Sequence, residues 1–101
     1  MNRDIVWSDD ARIDMLKLIE HIAKDSIQNA NLVADRIHQS TDLLSQMQFG
    51  RAGRVFDTYE ALVPKSPFIV VYRLVEPNRL AIVRIIHTSR NWPPGEWPAD
   101  D

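Results

Sequence analysis

The chain has 101 residues, no cysteine, 45% hydrophobic residues and a formal net charge of −2 at pH 7. This length predicts a single domain with one modest core, and the lack of cysteine excludes disulfides, thiol catalysis and cysteine-ligated zinc. No apolar run predicts a membrane span or a signal peptide, so we expect a cytoplasmic protein with no membrane partner.

The charges are distributed unevenly along the chain. Residues 50–93 carry seven Lys or Arg against three Asp or Glu, whereas residues 1–49 carry five against eight. A local positive field of this kind favours an anionic partner even in a nearly neutral chain. The sequence pI of about 5.9 argues against a dedicated DNA-binding protein.

The N-terminal half predicts one strand followed by a helical hairpin. Residues 4–7 are β-prone, Ser8 is placed to cap a helix, and Asp9 and Asp10 fall in its first turn, where they favour the helix dipole. Asp25 and Ser26 interrupt the helical pattern and predict the cap of a second helix. The apolar positions of the two helices are Met15, Leu18, Ile19, Ile22 and Ala23, then Ala30, Val33, Ala34, Ile37 and Leu44. The short break between them predicts antiparallel packing.

The C-terminal half predicts three strands, over residues 54–63, 68–75 and 79–87. Gly50 and Gly53 permit positive φ and end the helical region, and the turn sequences at 64–67 and 76–78 separate the strands. We predict an α+β fold in residues 1–93: an N-terminal strand, an antiparallel helical hairpin and a three-stranded antiparallel sheet. Residues 94–101, rich in proline and acidic residues, are predicted to form an irregular tail.

The last two strands predict a sheet that is apolar on both faces. If Val75 pairs with Leu80, alternation assigns one face to Ile69, Val71, Arg73, Val75, Leu80, Ile82, Arg84 and Ile86. The other face then carries Phe68, Val70, Tyr72, Leu74, Ala81, Val83, Ile85 and His87. One helical hairpin covers one face, so the second face predicts a partner chain. The alternatives are a tail that folds back over this face and self-association.

Arginines within the apolar strands are the main candidates for partner contacts. Arg73 and Arg84 are expected either to meet acidic groups of a partner or to form an internal ion pair, for example with Glu60. Trp92 is either an interface anchor or a residue packed at the edge of the core. The predicted partner- or target-binding residues are Arg73, Arg84, Ile69, Val71, Ile82, Ile86, Arg54, Arg90 and Trp92.

Histidines raise the question of catalysis and of metal binding. His87 lies three residues before Arg90, where it can act as an acid or base or can make a local hydrogen bond at the end of a strand. His21 and His38 have no second ligand at metal spacing. The sequence also lacks a phosphate-binding loop and a nucleophile–base pair, so no catalytic residue, metal or cofactor is predicted.

The order of elements, ending in His-x-x-Arg, resembles the RelE/ParE superfamily of toxins. The resemblance covers residues 5–93 and depends on three segments, GRAGRV at 50–55, PFIVVYRL at 67–74 and VRIIHTSRNWP at 83–93. These segments are similar to the ParE branch, the toxins of plasmid stabilisation systems. The resemblance implies a bacterial type II toxin–antitoxin system, a ParD-like ribbon-helix-helix antitoxin that makes any DNA contact, and DNA gyrase as the target of a non-enzymatic toxin.

Two other functions remain open at this point. The RelE branch cuts messenger RNA on the ribosome with basic residues on the sheet and an aromatic residue near the C-terminus. Arg90 falls where one of those arginines lies, but Ile69 stands where another is expected and no tyrosine follows His87. Tyr59 stands where an arginine is common in the ParE branch. The third alternative is an inactive homologue that acts with its partner in repressing their own operon.

Overall fold

The computed structural model describes residues 2–98, which form two helices and five strands. In chain order these are β1 Asp4–Trp7, α1 Asp9–Ala23, α2 Ile27–Gln46, β2 Arg51–Ala52, β3 Tyr59–Leu62, β4 Phe68–Val75 and β5 Arg79–His87. The strands form one sheet in the order β1-β5-β4-β3-β2, with β1 parallel to β5 and the other pairs antiparallel. The predicted α+β class is confirmed, and the sheet is larger than the predicted three strands because β1 and β2 join its edges.

Serine caps define the starts of both helices, as the sequence predicts. The Ser8 hydroxyl accepts a hydrogen bond from the Ala11 amide at 3.0 Å, and the Ser26 hydroxyl accepts one from the Asn29 amide at 3.1 Å. Each cap satisfies an amide that the helix cannot satisfy internally and contributes about 1 kcal/mol. The helices pack against each other as the predicted hairpin and cover one face of the sheet.

The first predicted C-terminal strand is wrong in extent. Residues 54–63 do not form one strand, because a turn separates the two-residue β2 from β3. The Gly53 amide donates to the Thr58 carbonyl at 2.8 Å, and Asp57 adopts a φ of 62°, a left-handed conformation that aspartate tolerates better than most residues. The chain therefore reverses direction in a region where the composition predicted an extended strand.

A β-bulge in β5 changes the predicted register near the turn. Two predicted pairs are observed, Ile69 with Ile86 and Val71 with Arg84. Nearer the turn Tyr72 pairs with Ile82, so Val83 is an extra residue without a partner in β4. One extra residue reverses the alternation of side chains beyond it. The prediction that Leu80 and Ile82 share a face with Arg84 is therefore wrong: both are fully buried in the core under the helices.

The bulge is tied directly to the start of α1. The Ser8 amide donates to the Ile82 carbonyl at 2.9 Å, and the Ser8 hydroxyl donates to the Val83 carbonyl at 2.8 Å. One serine thus caps α1 and also satisfies two carbonyl groups beside the bulge. Through these bonds the position of α1 is fixed relative to β5.

Tyr72 is the largest fully buried side chain and lies at the end of the core near β2. Its ring stacks on Tyr59 with centroids 5.5 Å apart, and its hydroxyl lies against Gly50 without a hydrogen bond of good geometry. Burial raises the pKa of Tyr72 above its ordinary value, and the Gly50 backbone opposes that shift. Gly50 is required here for space, since a Cβ atom would contact the Tyr72 hydroxyl and lie 2.8 Å from the Glu60 carbonyl oxygen.

We expect Gly50→Ala to destabilise the fold by about 2 kcal/mol, because the added methyl group overpacks this region. In a Tyr72→Phe background the cost should be smaller, since one of the two clashing groups is gone while the Glu60 carbonyl remains. Urea unfolding of the four proteins measures this coupling. Equal costs in the two backgrounds would show that the hydroxyl does not limit the space at Gly50.

Candidate functional site

The sheet face opposite the helices carries a row of side chains in register across four strands. Arg51 pairs with Glu60, Glu60 with Val71, and Val71 with Arg84. Side chains of directly paired residues lie on the same face. This row places two arginines and a glutamate around an apolar centre, and we call the surface it crosses the outer face.

Glu60 is a buried carboxylate at the middle of the outer face. One of its oxygens, Oε2, accepts a hydrogen bond from the Arg54 amide at 2.7 Å, and the other, Oε1, accepts one from Arg54 Nη1 at 2.9 Å. Arg51 Nη2 lies 4.0 Å from the same Oε1. Burial of a carboxylate is tolerated here because it is paired and hydrogen-bonded. The expected partner of Glu60 was Arg73 or Arg84, and the observed partner is Arg54.

Arg84 forms an internal ion pair with Asp14 of α1. An internal pair was one of the two expectations for this arginine, but the example given for its partner was Glu60. Arg84 Nε lies 2.7 Å from Asp14 Oδ2 and Arg84 Nη2 lies 3.1 Å from Oδ1. Asp14 Oδ2 also accepts the Ile85 amide at 2.9 Å. The pair is bidentate and largely shielded, with side-chain exposures of 15% and 13%, so it is stronger than a surface salt bridge.

The C-terminal tail lies on the outer face. Trp92 is buried against Val71 and Ile86, and Trp97 stacks on Trp92 with ring centroids 6.1 Å apart. The expectation of an open apolar face is therefore wrong for this chain, and the alternative of a tail that folds back is observed. The part of the face over Val71 and Ile86 is closed because two indole rings cover this aliphatic centre, whereas Leu62 at its margin stays exposed.

Several predicted partner-binding residues are consequently buried. Val71, Ile86 and Trp92 lie under or within the tail, and Ile69 packs at the margin of this cluster. Arg73 follows Val71 by two positions and lies half-buried on the same side of β4. No described carboxylate forms an ion pair with Arg73. Among the described residues, Arg73 therefore differs from Arg54 and Arg84, whose guanidinium groups are paired with carboxylates.

A cleft of about 490 Å³ adjoins the outer face beside β2 and β3. Its lining includes the ion pair of Arg54 with Glu60, the Thr88 side chain and the exposed Leu62. The cleft brings predicted residues Arg54 and Ile69 to one wall. A surface that combines exposed aliphatic groups with arginine suits a protein segment better than a small polar ligand.

His87 and Arg90 lie on the helix side, away from the cleft beside Arg54. They line a second cleft of about 310 Å³ together with Lys17 and His21 of α1. The His87 Nδ1 atom accepts the Ser89 amide at 3.0 Å, and its ring packs edge-on against Phe68. This is the structural role expected for a histidine at the end of a strand, and His21 lies near His87 although sequence spacing gave no sign of it.

Asp14 and Trp97 are the structural contributors to the outer face that sequence reasoning missed. Asp14 lies on a helix that the sequence predicts correctly, but nothing in the helical pattern indicates contact with a strand 70 positions away. Trp97 lies in a proline-rich segment, where apolar residues are usually ignored. A signal was available there, since two tryptophans in an otherwise polar tail are unusual.

Two features are absent from residues 2–98. The described part of the chain contains no group of three or more His, Cys, Asp or Glu side chains placed to hold a metal ion. In the same residues, neither helix is long and apolar enough to cross a membrane.

The fold defines a class of small α+β protein, a helical hairpin on a mixed sheet, that also occurs in solved toxin–antitoxin systems. One chain of the chromosomal ParDE system from P. aeruginosa matches with a TM-score of 0.75 and 20% identity, over 84% of this chain and 95% of that chain. One chain of the RelBE2 toxin–antitoxin complex from Mycobacterium tuberculosis matches with a TM-score of 0.56 and 20% identity, over 86% and 99%. At these identities the likeness shows the fold alone.

The family is shown by the sequence itself. Residues 5–92 match the family model described as "ParE toxin of type II toxin-antitoxin system, parDE". The chain therefore belongs to the ParE toxin family, as its three sequence segments suggested. It is also 31% identical over 74 residues to the Sinorhizobium fredii protein named "Putative toxin Y4kP", covering 72% of this chain and 75% of that protein.

We expect Asp14→Asn to destabilise the fold by about 2 kcal/mol, because it removes the negative charge that faces the shielded Arg84 guanidinium. Glu20→Gln, an exposed carboxylate on the same helix, is the matched control and should change stability by less than about 0.5 kcal/mol. Urea unfolding followed by far-UV circular dichroism gives both values. Equal effects of the two substitutions would contradict a stabilising role for the pair.

Proposed function

We propose that this chain is a toxin that acts by binding a protein target, DNA gyrase, and that a ParD-like ribbon-helix-helix antitoxin neutralises it. In this proposal residues 1–93 form the toxin domain, and contact with DNA is made by the antitoxin. Membership of the ParE family supports the system class. The state of the arginines on the outer face supports binding rather than catalysis.

The choice of binding over catalysis is based on the ion pairs of the arginines. RNA cleavage through the 2′-hydroxyl needs cations available to the phosphate and a general base and acid near them. Here Arg54 is paired with Glu60 and Arg84 with Asp14, so carboxylates of the chain already neutralise both guanidinium groups. Ile69, at a position where the RelE branch is expected to carry an arginine, packs beside the tail.

The composition of the outer face supports a protein as the ligand. Its centre is aliphatic and aromatic, and its rim carries Arg51 and Arg73. Protein interfaces combine an apolar centre with a polar rim, and arginine is enriched among their residues. An acidic and partly apolar segment of a partner would complement this surface in both respects.

Expression of the chain alone should arrest bacterial growth, and the purified protein should inhibit DNA supercoiling by gyrase. Supercoiling of a relaxed plasmid by purified gyrase measures the second effect, with heat-unfolded chain as the control. Unaffected gyrase together with cut messenger RNA in a translation reaction would instead favour a ribosome-dependent endoribonuclease. A chain that is harmless in cells and inactive in both reactions would favour a role limited to operon autorepression.

Arg73→Glu should weaken antitoxin binding by at least about tenfold, because it reverses a charge at the rim of the proposed interface. Lys24→Glu makes the same change of charge at the exposed C-cap of α1 and should alter the affinity less than about twofold. Titration calorimetry with the purified antitoxin measures both Kd values. Equal affinities of the two variants would remove Arg73 from the interface.

A further inference from the structure

The C-terminal segment 92–97, which we call the strap, is held on the outer face chiefly by side-chain contacts. Trp92 and Trp97 stack on each other over Val71 and Ile86. The strap contains no helix or strand, and its prolines, Pro93 and Pro94, are exposed. A segment that is held by side chains rather than by a β-ladder can leave a surface without disrupting the sheet beneath it.

Arginine planes form two sides of the site that the strap occupies. The guanidinium carbon of Arg54 lies 4.4 Å from the ring centroid of Trp92, and that of Arg84 lies 5.8 Å from the centroid of Trp97. Both arginines are positioned by their own carboxylates, Glu60 and Asp14. Because the carboxylates hold the guanidinium groups in place, an aromatic ring can make a cation–π contact with little further loss of side-chain entropy in the arginines.

A backbone contact completes the site. The Gly95 amide donates to the Arg54 carbonyl at 2.7 Å, and Gly95 adopts a φ of 82°. The Trp92 indole nitrogen donates to the Glu96 carbonyl, which keeps the two ends of the strap together. The outer face thus offers an aliphatic floor, two guanidinium walls and a carbonyl acceptor, which are the elements of a peptide-binding site.

We propose that the outer face is a peptide-binding surface whose ligand is an acidic partner segment bearing aromatic side chains, and that the strap is a built-in competitor for it. The strap supplies the argument for the aromatic part of this ligand, because it occupies the surface with two indole rings. The exposed Arg51 side chain, next to Glu60 in the row, adds a positive rim that suits an acidic segment. The inference builds on the proposed function, in which a partner segment must dock on this toxin.

Competition by the strap predicts the direction in which weakening the strap changes the affinity for a partner. A ligand tethered to its own site acts at an effective concentration in the millimolar range for a short connection. The apparent affinity for a partner is then the intrinsic affinity multiplied by the fraction of molecules in which the site is open. Weakening the strap should therefore tighten the binding of an external peptide, whereas loss of an ordinary interface residue would weaken it.

The test uses the full chain and a synthetic peptide with the sequence of residues 90–101. Gly95→Ala strains the strap backbone at its positive φ, and a Cβ atom there would contact nothing within 4 Å. We expect this variant to bind the peptide at least about tenfold more tightly than the unmodified chain. A peptide with both tryptophans replaced by alanine should not bind, and Leu16→Ala, an exposed position on α1, should leave the affinity unchanged.

Trp97→Ala provides a second way of weakening the strap, and far-UV circular dichroism checks that each variant folds. Equal or weaker peptide binding by both folded variants would overturn the competition. In a second arm, hydrogen exchange of the Gly95 amide should become faster when purified antitoxin is bound, and an amide that stays protected would also overturn the proposal. The peptide arm needs neither gyrase nor antitoxin, so its result is independent of whether the chain acts as a toxin.

Discussion

The extra residue at Val83 decides which side chains of β5 enter the core. Without this bulge, Leu80 and Ile82 would point away from the helices, and each fully buried side chain of this size is worth about 1.5–3 kcal/mol. Ser8 donates to the Val83 carbonyl and caps α1 with the same hydroxyl. The bulge reverses the alternation of side chains in β5, and the same serine fixes the start of α1. The composition of both sheet faces and the placement of the helical hairpin therefore depend on the same contacts.

Charge on the sheet is compensated locally. The excess of basic residues in the C-terminal half suggested a field for an anionic ligand, but Glu60 and Asp14 hold Arg54 and Arg84 at close range. Once paired, these arginines present planar guanidinium groups on which aromatic rings can pack, in addition to their charge. The same residues thus stabilise the fold and shape the surface, which explains why an apolar strand can contain an arginine at its centre.

Local signals allowed much of the fold to be predicted from the sequence. Helix caps at Ser8 and Ser26 and the limits of β4 and β5 follow from residue types and spacing, because caps and alternation depend on neighbours in the chain. The bulge, the pairing of Asp14 and the closure by Trp97 depend on contacts between distant segments, which periodicity does not encode. The sequence alone predicted that Val71, Arg84 and Ile86 share a sheet face, which is observed, but it did not predict that the tail covers this face.

The parallel pairing of β1 with β5 also sets the order in which the molecule can be completed. Ser8 and Val83 are 75 positions apart, and β5 is the neighbour of β1 in the sheet. A nascent chain that has not reached Arg79 lacks that neighbour and much of the floor beneath the helices. At about 5–20 residues per second, roughly 4–15 s of synthesis separate the two elements. The sheet can therefore be completed only after β5 has been synthesised, and a chain terminated before β5 has an incomplete fold.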